Sequence, residues 1–86
     1  RDRLTAALGA LPGLLVYPSA ANFVVVRCQA IPARTVFQRL YDEFGILVRD
    51  ISTGVDLEEC LRISVGRDDD VAAVIAAFTR IFGSNG

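Results

Sequence analysis

Histidine, lysine, methionine and tryptophan are all missing from this sequence. Without an imidazole there is no histidine to act as acid, base or zinc ligand, and without an amine no side chain forms a Schiff base with a carbonyl compound. Those chemistries are excluded within this chain. Cysteine is scarce as well: Cys28 and Cys60 are too few and too far apart for a metal framework. A disulfide between them and a pair of reduced core thiols both fit the spacing. Nothing in the chain reads as a secretion signal, which favours reduced thiols and a cytoplasmic setting. No apolar run approaches the roughly 18 to 20 residues that cross a bilayer, so no membrane partner is expected. An excess charge of one sign is lacking too. Nine basic and ten acidic residues are interspersed, for a net charge of −1. They form no basic patch for nucleic acid to meet.

What the chain has is apolar surface. Hydrophobic residues make up 52% of 86 positions, somewhat above the roughly 45–50% of ordinary globular proteins. A chain this short forms one domain with little interior. Part of the apolar surface is therefore expected to lie under another domain or subunit. The sequence also opens inside a helical pattern without Met, and is expected to be cut from something longer.

Leu4, Ala7, Leu8 and Leu11 recur at helical spacing, and Pro12-Gly13 stops the helix. Leu14 to Tyr17 reads as a brief extended piece before a turn at Pro18-Ser19. Asn22 to Cys28 is the clearest strand, β-branched and apolar on both faces, as in a strand covered on both sides. Pro32 suits a first helical position, and Val36, Phe37, Leu40, Tyr41 and Phe44 form an amphipathic stripe that Gly45 ends. Ile46 to Val48 reads as a short strand leading into Arg49-Asp50, followed by a loop over 51–59. Leu61 to Val65 is a third strand. Val71, Val74, Ile75, Phe78 and Phe82 mark a last helix, whose three opening aspartates complement its dipole, before a frayed tail from Gly83 to Gly86.

A right-handed crossover makes the strands at Asn22 and Ile46 parallel, with the strand at Leu61 between them and antiparallel to both. The expected fold is α+β: a two-layer sandwich of a small, mostly antiparallel three-stranded sheet with helices on one face. If Cys28 stands opposite Cys60, then Val26 faces Arg62 and Val24 faces Ser64 on the open side, with Asn22 beyond. Phe23, Val25, Leu61, Ile63 and Val65 then face the helices.

The stretch Leu61-Arg62-Ile63-Ser64-Val65-Gly66 carries the functional signal. It alternates strictly, so one face is apolar and the other presents a cation in mid-strand. Such a cation is costly unless an anion meets it. Two readings stand: Arg62 is offered to an anionic ligand, or it pairs with an acid of this chain. Arg49, at the other end of the loop, either converges with Arg62 on a carboxylate or phosphate, or pairs with Asp50 or solvent. Asn22 either joins them or bonds the backbone at the strand entry. Ser64 reads as a small residue with no histidine to activate it. No catalytic residue and no metal ligand is expected in the chain.

Three strings in series bear a resemblance. Pro18-Ser19-Ala20-Ala21-Asn22-Phe23-Val24-Val25-Val26-Arg27, Gly45-Ile46-Leu47-Val48-Arg49-Asp50 and Leu61-Arg62-Ile63-Ser64-Val65-Gly66 run through essentially the whole chain. Together they resemble the C-terminal small domain of pyridoxal-phosphate aminotransferases of the aspartate-aminotransferase fold type, and within them the histidinol-phosphate aminotransferases. The resemblance implies that residues 1–86 are one small domain whose large cofactor-binding domain is absent. It implies that Arg62 binds the acidic group of the substrate, either the donor's α-carboxylate or the phosphate of histidinol phosphate, and that Arg49 lines the same site. The implied reaction is amino transfer between L-histidinol phosphate and 2-oxoglutarate in histidine biosynthesis, in a parent that is a homodimer. Pyridoxal 5'-phosphate would be the cofactor, held by the large domain through a lysine that this chain lacks, so the chain alone should be inactive. The resemblance extends to an aromatic amino-acid aminotransferase and a threonine-phosphate decarboxylase as alternative readings within the same superfamily. A regulatory amino-acid-binding module and a plain interaction domain remain as readings of another class.

Overall fold

The structure, a computed structural model, describes residues 2–18 and 22–83, with Pro18 and Asp68 described in backbone only. The turn expected at Pro18-Ser19 and the tail beyond Gly83 lie outside the described residues. In chain order the elements are helix α1 (Asp2–Gly9), strands β1 (Leu14–Pro18) and β2 (Phe23–Cys28), helix α2 (Ala33–Phe44), strands β3 (Arg49–Asp50) and β4 (Cys60–Ser64), and helix α3 (Asp68–Phe82). The sheet runs β1-β2-β4-β3 with every neighbouring pair antiparallel. The α+β class holds, and β4 lies between β2 and β3 as expected. The sheet, however, has four strands where three were expected. The extended piece at Leu14 pairs along the whole of β2, from Leu14 opposite Cys28 to Pro18 opposite Val24.

All three helices pack on one face. Leu4 and Leu8 of α1, Val36 and Leu40 of α2, and Val71, Val74, Phe78 and Phe82 of α3 share one core with Val24, Val26, Leu61 and Ile63 of the sheet. These are the i, i+3, i+4 positions that put apolar side chains on one side of a helix. The rings of Phe78 and Phe82 stack with centroids 6.1 Å apart. Helix α2 ends as its sequence requires: Gly45 takes a left-handed φ of 67°, its N–H reaches the carbonyl of Tyr41, and the N–H of Ile46 reaches that of Leu40. Because Ile46 is drawn back onto the helix end, residues 45–48 form a connection, and strand pairing begins only at Arg49. Gly13 is also specified. Its φ is 77°, its carbonyl accepts from the N–H groups of Gln29 and Ala30, and a Cβ there would lie 2.3 Å from that of Ala30.

The register differs from expectation by one residue. Arg27 stands opposite Cys60, Val25 opposite Arg62 and Phe23 opposite Ser64. The outward aim of Arg62 and Ser64 is as the alternation requires. On β2 the faces are exchanged: Val24, Val26 and Cys28 are buried toward the helices, while Phe23, Val25 and Arg27 lie half-buried on the other side. A slip of one residue has this effect on every side chain of a strand. Cys28 and Cys60 consequently sit on opposite faces of the sheet, and both are buried free thiols.

Candidate functional site

The open face of the sheet sets two arginines side by side at its β3 edge. Arg49 of β3 stands directly opposite Arg62 of β4, a placement that sets backbone positions about 5 Å apart and is destabilising for like charges unless something offsets it. Neither arginine forms an ion pair among the described residues, where the ion pair found is Arg39 with Glu43 on the outer side of α2 at 2.8 Å. The internal partner considered for Arg62 is therefore not seen. Asp50 next to Arg49 is turned to other work: one carboxylate oxygen accepts from the amide of Ser52 at 2.9 Å and from its hydroxyl at 2.6 Å. Those bonds, with Arg34 nearby, hold its carboxyl below the usual aspartate range.

Phe37, Leu47, Val48, Arg49, Asp50, Arg62 and Ser64 line a concavity of about 430 Å³ at this edge. Val48 and Phe37 supply its apolar wall, and the two arginines supply positive charge. Two guanidinium forks on adjacent strands suit a carboxylate or phosphate, which accepts parallel hydrogen bonds from each. Asn22 is not among the lining residues. It lies exposed at the entry to β2, and its carbonyl accepts the N–H of Val65 at 2.8 Å. Among the described residues no cluster of potential metal ligands is present, and no helix is long and apolar enough to cross a membrane.

Two features escaped the sequence reading. Phe23 lies against Arg62, with the guanidinium carbon 4.4 Å from the ring centroid. Arg27 ties down the loop over 51–59, its Nε donating to the carbonyl of Glu58 at 3.1 Å and its Nη2 to that of Asp56. In that loop Asp56 and Glu59 both adopt a left-handed φ of 60°, uncommon for residues with a side chain. The Glu59 carboxylate accepts the Ala33 N–H at 2.6 Å, so a loop residue caps helix α2.

The sequence profile of the family Aminotransferase class I and II matches residues 1–78. The chain belongs to the class I and II aminotransferases. A histidinol-phosphate aminotransferase of Chromobacterium violaceum is 46% identical over 83 residues, which is 95% of this chain and 22% of that protein. Among solved structures, a decarboxylase from Sulfurospirillum multivorans superposes with a TM-score of 0.86 at 32% identity, over 94% of this chain and 23% of the other. The histidinol-phosphate aminotransferase from Clostridium acetobutylicum shares the fold, with a TM-score of 0.84 at 20% identity, over 94% of this chain and 25% of the other chain, to within the same arrangement of helices and sheet. This aminotransferase chain spans about a fifth of the length of the curated relatives it matches.

Proposed function

We propose that the chain is the C-terminal, substrate-binding small domain of a pyridoxal-phosphate-dependent aminotransferase, acting between histidinol phosphate and 2-oxoglutarate, in which Arg62 and Arg49 hold the anionic group of the substrate. One observation carries the reading: Arg49 and Arg62 pair across adjacent strands and line one concavity, with no carboxylate bonded to either among the described residues. A phosphate or carboxylate settling between them removes the repulsion and satisfies the donors of both. Asn22 remains part of the proposal only as an exposed neighbour at the strand entry.

The residues of this chain do not fit the cofactor by themselves. No lysine is present to carry it, and the cationic pair lies on an open sheet edge. The cofactor and the chemistry at it belong, in this reading, to a larger domain with which the small domain closes over substrate. The chain's own part is to bind and orient.

With the chain joined to such a domain in the full-length enzyme, Arg62→Ala is expected to lower kcat/KM by the equivalent of about 2–4 kcal/mol, the scale of a lost charge-assisted partner. Unchanged kinetics would remove Arg62 from the site. A second reading is favoured by the L-threonine-O-3-phosphate decarboxylase from Porphyromonas gingivalis, which superposes on the chain with a TM-score of 0.84 at 27% identity: the same anion site serving decarboxylation of a phosphorylated amino acid. Release of carbon dioxide without amination of 2-oxoglutarate would select it.

A further inference from the structure

An aromatic face, not an acid, holds the Arg62 guanidinium. Phe23 stands opposite Ser64 while Val25 stands opposite Arg62. Phe23 and Arg62 are therefore diagonal neighbours on the open face, a spacing that an aromatic ring and a long side chain bridge. The Nε of Arg62 is fully buried and meets no acceptor, which is costly for an N–H taken out of water. Attraction of the cation to the π face of Phe23, at 4.4 Å, offsets part of that cost. The choice of partner matters. A carboxylate at this point would cancel the charge and occupy two of the guanidinium's five N–H donors; a ring does neither. Arg49 directly opposite pushes Arg62 away by repulsion, and the ring provides the opposing hold. With Nε closed off, the terminal Nη pair is the edge left for a ligand.

We propose that Phe23 is the positioning residue of this anion site: its ring fixes where the Arg62 guanidinium sits, leaves its charge intact and turns its terminal nitrogens toward the anion. This rests on the reading of Arg62 as the anion-binding group.

The test follows the side-chain Nε–H signal of Arg62 by NMR in the 86-residue chain, with inorganic phosphate as probe. In the wild type that proton is expected to exchange slowly with solvent, the Arg62 side-chain protons to carry an upfield ring-current shift, and the signal to move saturably with phosphate. Phe23→Leu is expected to speed the exchange and weaken phosphate binding about fivefold, and Phe23→Tyr to stay within about twofold of wild type. Unchanged exchange and affinity in Phe23→Leu would overturn the proposal. Should that variant not fold, the wild-type ring-current shift decides, and Arg62 protons at unperturbed positions would overturn it equally. Arg62→Gln separates the two ideas. If it binds phosphate as wild type does, or if wild type binds none, the anion reading fails, while exchange and ring-current shift still report whether Phe23 holds Arg62.

Discussion

Cys28 and Arg62 sit on neighbouring strands and face opposite media, and each behaves accordingly. The Cys28 thiol is buried among the helices, and removal from water, aided by Glu59, pushes its pKa up to about 12. In the unfolded chain the thiol returns to about 8.5. Between those values the folded chain retains a proton that the unfolded chain has lost, so stability falls as pH rises. The contribution is whole below about pH 8.5 and is lost on the way to about 12. Thermal melts of wild type and Cys28→Ala should therefore converge as pH rises from about 8 to about 11, and curves that stay parallel would show the thiol ionising freely in the fold. At this scale Arg62 is legible in the sequence, because strict alternation from Leu61 to Val65 sets its direction whatever lies beside it. The partnership with Phe23 is not. The run Val24-Val25-Val26 is apolar at every position, so no alternation marks its inward face, and the register rests on the neighbouring strand.

Between α2 and the loop that precedes β4, a single carboxylate makes the link. Glu59 accepts the Ala33 N–H through its side chain and the Cys28 N–H through its carbonyl, the latter at 2.8 Å. It thus caps a helix while fixing where β4 starts along β2. Pro32 precedes the helix without a side-chain cap of its own, so the distant carboxylate takes the place that a serine or aspartate usually fills. Glu59→Ala is expected to lower unfolding stability by about 1–2 kcal/mol, the scale of a lost helix cap, whereas Glu59→Gln keeps an acceptor oxygen and most of the stability. Equal losses in denaturant melts would show that charge, not the hydrogen bond, matters. Helices were the legible elements, since each carries its own stripe and stop signal, as Gly45 does for α2. β1 was legible as extended but not as a strand, because its four apolar residues carry no sign of the partner along which they pair. β3 begins only at Arg49 because the left-handed Gly45 end of α2 takes up Ile46, an interaction between backbone groups that side-chain pattern does not record.

Among the described residues the three helices cover one face of the sheet, and on the other face the loop over 51–59 reaches Arg27 while no helix packs there. Leu15 and Tyr17 of β1 are 39% and 43% exposed, and Phe23 and Val25 beside them are half-buried. The high apolar content raises the expectation of a covering partner, and the structure puts these exposed and half-buried apolar side chains on the same face as Arg49 and Arg62. Burying such a face against a second domain is favourable at about 25 cal/mol per Å² of apolar area, and it would also dry the surroundings of the two arginines and strengthen their hold on an anion. The two tyrosines allow a direct test, since Tyr17 lies on the open sheet face while Tyr41, 56% exposed, lies on helix α2. In the 86-residue chain both should be nitrated readily by a surface-directed reagent. When the chain is joined to the cofactor-binding domain, Tyr17 should become protected and Tyr41 should react as before. Protection of Tyr41 with Tyr17 still open would place the partner over the helices instead, and would leave the arginine pair facing water with no neighbour to bring it a substrate.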